Sequence, residues 1–230
     1  MLPADLRSAE GQALAALLAA LPDQRRGRWT VEMRFEGLRI LPVALRLAEG
    51  LQASAVAVRL LFPDAGAAAL ARRDAPALAD AIVDFRGQMA QPSAEPASDP
   101  VLLAVGPAPS DYDAFEQLCA VQPGSVVMLN GSLEDAAVGI GSVARERRRG
   151  FLSQWRPAYA LQPLQGSALR LAYPGSWELY RQDADGFRLA ARFDQKPDLE
   201  TQLEALAGEA GTGVGGNLRA LDAFIEGLRN

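Results

Sequence analysis

The feature that most constrains the fold is the run Val126-Val127-Met128-Leu129, four apolar residues stopped at once by Asn130-Gly131. Such a run, with no polar alternation and with turn chemistry behind it, reads as a short strand buried on both faces. Two similar runs precede it, Val56 to Phe62 closed by Pro63-Asp64 and Val101 to Val105 closed by Gly106-Pro107. Helical patterns separate them, Ala65 to Arg72 after the first and, after the second, a helix opened by Ser110-Asp111 that carries Tyr112, Phe115, Leu118 and Cys119. Strands that alternate with helices in this way form a mainly parallel sheet with helices on its faces.

Further pieces complete the series. Pro3 to Leu21 places Leu6, Leu14, Leu17, Leu18 and Leu21 at near-helical spacing, and Leu38 to Leu51 is helical provided that Pro42 falls in its first turn. Between them, Val31, Met33 and Phe35 alternate with Thr30, Glu32 and Arg34, which predicts a half-exposed strand over Trp29 to Phe35. Gln88 to Pro100 has three prolines and no periodicity and reads as a surface loop. The last third changes character: Tyr159 to Leu164, Ala168 to Tyr173, Trp177 to Arg181 and Phe187 to Phe193 have the spacing of an antiparallel meander. Helices over Leu199 to Leu206 and Asn217 to Leu228, separated by the glycine-rich Gly208 to Gly216, close the chain. The expected fold is a single three-layer, Rossmann-like α/β domain over 1–230. Residues 1–157 form its alternating part, 158–195 the meander and 196–230 the closing helices.

Composition removes whole classes of chemistry. There is no histidine among 230 residues, so Ser-His-Asp and Cys-His nucleophiles are absent, together with the commonest general base and metal ligand. The single cysteine, Cys119, permits no internal disulfide and no multi-cysteine metal site, and its helical setting reads as a small core residue. No Walker-type G-x-x-x-x-G-K-[ST] occurs. A net charge of -5 argues against nucleic acid as the main partner. No apolar run approaches the roughly 18 residues of a membrane span. Residues 1–29 lack a basic region followed by a greasy core, so the mature chain is expected to begin near Met1. No cofactor and no metal are called for.

The candidate site follows from the fold, because ligands of open α/β sheets bind at the carboxyl ends of the strands. Asn130, Ser132 and Asp135 fall there. Gly139, Gly141 and Ser142 belong to Gly139-Ile140-Gly141-Ser142-Val143-Ala144, which matches G-x-G-x-x-A at a helix entry. The match lies about ten residues past the strand instead of directly on it, and no acidic residue ends a following strand about twenty residues on, which favours a helix entry over a dinucleotide site. Arg145, Arg147, Arg148 and Arg149 are the densest positive charge in the chain. They read either as a solvated helix face or as a contact for phosphate, anionic lipid or an acidic partner. Either reading predicts that glutamine at Arg147, Arg148 and Arg149 leaves folding nearly unchanged, and only the contact reading predicts that association drops. Trp155, Tyr159, Tyr173, Trp177 and Tyr180 read as core and edge packing of the meander.

The order of these pieces resembles a family of uncharacterised cyanobacterial and plastid domains. That family includes the low photosystem II accumulation 3 factor and the C-terminal extension of a plastid adenylate kinase. The resemblance is carried by Val31-Glu32-Met33, Leu61-Phe62-Pro63-Asp64 with Gly66, Val127-Met128-Leu129-Asn130 with Leu133 and Asp135, the basic segment from Gly139 to Phe151, and Tyr173-Pro174 with Trp177. Where the family pattern usually has proline after the asparagine, this chain has Gly131. The resemblance implies a non-catalytic accessory factor that assists photosystem II assembly or accumulation. It would sit in the cytoplasm and peripherally on the thylakoid, with photosystem subunits or other assembly factors as partners. The competing expectation is a binder of, or enzyme acting on, a nucleotide or other phosphorylated small molecule, with Asn130, Asp135, Ser142 and Arg145 lining the carboxyl edge of the sheet.

Overall fold

The computed structural model describes residues 1–24, 26–90, 100–134 and 142–208. The expected helix Asn217 to Leu228, most of the Gly208 to Gly216 stretch and the candidates Asp135, Gly139 and Gly141 lie outside the described residues, as do the side chains of Ser142 and Arg148.

The alternation in the sequence becomes α1 (Leu6–Ala20), β1 (Arg28–Met33), α2 (Ile40–Ala53), β2 (Val58–Phe62), α3 (Ala65–Asp74), β3 (Ile82–Asp84), α4 (Phe85–Ala90) and β4 (Val101–Val105). It continues with α5 (Tyr112–Val121), β5 (Val126–Leu129), α6 (Ser142–Arg149), β6 (Arg156–Leu164), β7 (Ser167–Ala172), β8 (Trp177–Asp183), β9 (Gly186–Phe193) and α7 (Leu199–Gly208). The hydrogen-bonded strand order is β3-β2-β4-β5-β1-β6-β7-β8-β9. Pairing is parallel from β3 through β6 and antiparallel in β7–β8 and β8–β9. This is the mixed α/β fold that the spacing predicts.

The chain groups into two units, the larger made of 3–162 with 171–175, the smaller of the remainder. In the larger unit period-2 alternation sends Leu61, Leu102, Ala104, Val126 and Met128 to one face, where they pack with Tyr112, Phe115, Leu118 and Cys119 of α5. The intervening residues Leu60, Leu103 and Val127 are equally buried, and α2 packs on β2 and β4 with α1 beside it. Helices therefore cover both faces, which is why these strands carry no polar alternation. Asp5 caps α1 by accepting from the Ser8 N–H at 2.7 Å, and Pro42 lies in the first turn of α2, where its missing N–H costs nothing.

Three local expectations need correction. The strand over Trp29 to Phe35 ends at Met33 and is not half exposed: Trp29, Thr30, Val31 and Met33 are all buried. Both of its edges are paired, to β5 and β6, residues on both of its faces are buried, and its polar residue Glu32 is accommodated by accepting from Gln162 Nε2 at 2.8 Å. Gln88 to Ala90 belong to α4 and not to a loop. Trp155 packs with Phe115 and Phe151 in the larger unit, not around the meander.

In the smaller unit, Ala168, Leu169, Trp177, Leu179 and Tyr180 are buried. Glu178 accepts from Arg170 Nη1 at 2.7 Å and from Tyr180 Oη at 2.8 Å. Burial pulls its carboxyl up, but these hydrogen bonds outweigh burial and hold it below the usual carboxylate range.

Between α1 and α2, the buried Glu10 accepts from Arg46 through both carboxylate oxygens, one bond being Arg46 Nε to Oε2 at 2.8 Å. Removing one partner of a buried pair leaves an uncompensated charge, whereas removing both can be nearly neutral. Arg46→Met should therefore lower unfolding stability by about 2 kcal/mol or more, and adding Glu10→Leu should recover most of it. Urea denaturation of the single and double variants checks this; equal losses in both would contradict it.

Candidate functional site

The carboxyl ends of the parallel strands gather the polar groups on which a site would be built, and the fold engages them one by one. Asp64, after β2, accepts the Ala67 N–H at 2.9 Å and caps α3. Asp84, at the end of β3, accepts the Gly87 N–H at 2.9 Å at the start of α4. Asp111, after β4, accepts the Ala108 N–H at 2.8 Å. Loop order also sets the direction in which the chain leaves each strand. From β2 it passes outward to β3 and from β4 inward to β5, so the crevice between β2 and β4 is the switch point where ligands bind in such sheets. Here the amino end of α3 already holds the carboxylate of Asp64, the group that a phosphate would have to displace.

Asn130 has a different task from the one its position advertises. With φ of +49° it turns the chain out of β5. Its Oδ1 accepts the Met33 N–H at 2.7 Å and its Nδ2 donates to the Met33 carbonyl at 2.9 Å, while its own N–H donates to the Val31 carbonyl at 2.9 Å. The side chain thus continues the β1–β5 ladder by one rung where the strand has stopped. Gly131 follows because a Cβ there would stand 2.7 Å from Met128 Cγ and 3.1 Å from Pro107 Cγ. Its carbonyl accepts from Arg34 Nη2 at 2.8 Å, and the Ser132 N–H donates to the Pro107 carbonyl at 3.0 Å. No sequence signal reveals the Asn130 clasp, because its partner lies 97 residues away.

The basic helix α6 is fastened to α5. Arg147 Nη2 pairs with Asp113 Oδ1 at 3.0 Å, and the guanidinium carbon lies 4.3 Å from the Tyr112 ring centroid. Arg147 is therefore a packing residue with 27% of its side chain exposed, and the expectation of a solvated arginine face fails at this position. A guanidinium stacked on an aromatic face is attractive because the ring carries negative charge on its faces. Arg145 and Arg149 are exposed. The carboxyl end of α6 is tied down by Ser153 Oγ, which donates to the carbonyls of Arg149 at 2.8 Å and Gly150 at 2.9 Å. Phe151 then enters the core, edge-on to Tyr112 and to Trp155 at centroid distances of 5.7 and 5.6 Å. Within this aromatic group Tyr112 Oη and Trp155 Nε1 have no hydrogen-bond partner among the described residues. Burial, with Glu116 adding, pushes the Tyr112 phenol up, so it stays a neutral donor.

Cys119 is buried on the core-facing side of α5, and desolvation pushes its thiol up to about 12. At neutral pH it is a core thiol and not a nucleophile. No group of His, Cys, Asp or Glu with metal-holding geometry occurs among the described residues, and no helix among them is long and apolar enough to cross a membrane.

Two substitutions separate the roles just described. Asn130→Ala removes both rungs at Met33 and puts alanine at a positive φ, so it should cost about 2–3 kcal/mol in chemical denaturation. A loss below about 0.5 kcal/mol would mean that the clasp is not formed in solution. Arg147→Gln should lower the melting temperature while Arg149→Gln leaves it nearly unchanged, since only the first loses an ion pair and a stacking contact. Equal melting temperatures for the two variants would contradict the anchoring of α6.

A family model described as a domain of unknown function, DUF1995, matches residues 3–204. No curated protein matches the chain. The match spans both units of the described fold up to α7, and the chain accordingly belongs to the DUF1995 family of uncharacterised domains.

Proposed function

We propose that this domain is a non-catalytic accessory factor that assists photosystem II assembly or accumulation at the thylakoid surface through protein contacts. The observation that supports this reading is the inward commitment of the carboxyl edge: Asp64, Asp84, Asp111 and Asn130 are all hydrogen-bonded to backbone groups of the same chain. In an enzyme of this architecture such positions supply the polar groups that meet substrate. Here they hold helices and strand ends in place. The choice of photosystem II as the client rests on the family resemblance carried by the ordered motifs from Val31 to Trp177. Membrane association would be peripheral, through partner proteins.

Cell fractionation followed by crosslinking and co-purification tests the proposal. Part of the protein should travel with thylakoids, and photosystem subunits or other assembly factors should co-purify with it. A protein that crosslinks to no such partner would overturn the reading. Thermal-shift screening against nucleotides and sugar phosphates supplies the counter-test: a rise of several degrees with one of them, as binding at about 100 times the dissociation constant produces, would replace it with the small-molecule reading.

A further inference from the structure

We infer that Asn130 is a modification site gated by its own clasp. When the clasp on β1 opens, the Asn130 side-chain amide is lost to attack by the Gly131 nitrogen, and the acid left behind keeps the strand end from closing as before.

The asparagines of the chain are Asn130, Asn217 and Asn230, and only Asn130 precedes glycine. Asparagine followed by glycine is the pair most prone to this chemistry, because glycine puts no side chain in the way of ring closure and lets the backbone reach the required conformation. The main-chain nitrogen of Gly131 attacks Cγ of Asn130. A bond forms between them, the Cγ–Nδ2 bond breaks, and Nδ2 leaves as ammonia with the proton of the Gly131 nitrogen. Water then opens the cyclic imide. Cleavage at Cγ gives aspartate, and cleavage at the main-chain carbonyl carbon gives iso-aspartate, whose backbone is a methylene longer.

In the folded domain this reaction is held off from both sides of the peptide that has to turn. Oδ1 and Nδ2 are engaged by the Met33 N–H and carbonyl at 2.7 and 2.9 Å, so Cγ cannot swing toward Gly131 without losing both bonds. The Asn130 N–H donates to the Val31 carbonyl at 2.9 Å. On the other side, the Gly131 carbonyl accepts from Arg34 Nη2 at 2.8 Å, and the Ser132 N–H donates to the Pro107 carbonyl at 3.0 Å. Ring closure therefore waits for local opening at the end of β1.

Neither product fits the closed form. Aspartate sets an acceptor oxygen where Nδ2 donates to the Met33 carbonyl, and it adds a charge at a half-buried position. Iso-aspartate lengthens the turn at a point where even a Cβ on Gly131 would stand 2.7 Å from Met128 Cγ. Opening is thereby recorded covalently, and the modified chain leaves the folded pool.

The test holds the full chain in mildly alkaline buffer, with and without guanidinium chloride, and follows amide loss at each asparagine by peptide mass spectrometry. Asn130 should convert in denaturant and at least about tenfold more slowly in the native chain. Asn217, which precedes leucine, should stay largely intact in both. Arg34→Gln, which releases the Gly131 carbonyl, should speed native conversion severalfold. After denaturant is removed, converted chain should melt at a lower temperature than unconverted chain taken through the same steps, or should not refold at all, and Asn130→Asp should behave as the converted chain does. Equal rates in the native and unfolded chain, or no effect of Arg34→Gln, would overturn the gating. Absence of conversion in denaturant, or equal melting of converted and unconverted chain, would overturn the site itself.

Discussion

The larger unit is organised around β1, the strand that joins the two ends of the chain's history. It comes early in the sequence, yet it lies between β5 (Val126–Leu129) and β6 (Arg156–Leu164), which follow far later in the chain. A strand inserted between two later ones is held only by non-local pairing, and the loop-closure entropy of that pairing is repaid only when the sheet is complete. The Asn130 side chain supplies the last rung, bonding both backbone groups of Met33 just where β5 turns away. Low local dielectric makes such bonds strong and makes their loss costly, since Met33 would be left with unpaired donor and acceptor.

The same economy recurs at the described carboxyl ends of β2, β3 and β4. Asp64, Asp84 and Asp111 each neutralise a free N–H at a helix or turn start, with hydrogen-bond lengths of 2.9, 2.9 and 2.8 Å. These are the positions at which related architectures meet phosphates, and here carboxylates already satisfy the helix ends. The domain thereby gains rigidity at the edge where enzymes keep reactive groups. Rigidity extends to α6, whose charge pattern does not favour a free-standing helix but which is locked by one arginine on an aromatic ring.

Much of the fold was legible in the residues themselves. Short, mostly apolar runs closed by Asn-Gly, Pro-Asp and Gly-Pro marked three of the parallel strands, because burial on both faces leaves little polar alternation to confuse the reading. β3 escaped notice because it has three residues and ends in a charge, Asp84, that serves the next helix. β1 was misread as half exposed because Thr30, Glu32 and Arg34 alternate with apolar residues. Within β1 the alternation reflects polar groups that find partners in the structure, Thr30 buried and Glu32 bonded to Gln162, while Arg34 lies beyond the strand. The candidate site shows the same limit: Asn130 and Arg147 were singled out for their chemistry, and both proved to be fastened to the chain itself by contacts that no local pattern encodes. Family membership adds the domain's extent, 3–204, without a reaction.

The central claim is that Asn130, Asp64, Asp84 and Asp111 at the carboxyl edge are engaged by the chain's own backbone, and amide hydrogen exchange in the isolated domain tests it most directly. The N–H groups of Met33, Ala67, Gly87 and Ala108 donate to Asn130, Asp64, Asp84 and Asp111. The account predicts that all four are protected in the absence of any ligand, Met33 as strongly as the interior of β1. Free exchange at these amides, slowed only when a phosphate or nucleotide is added, would show an open edge awaiting a ligand and would contradict it.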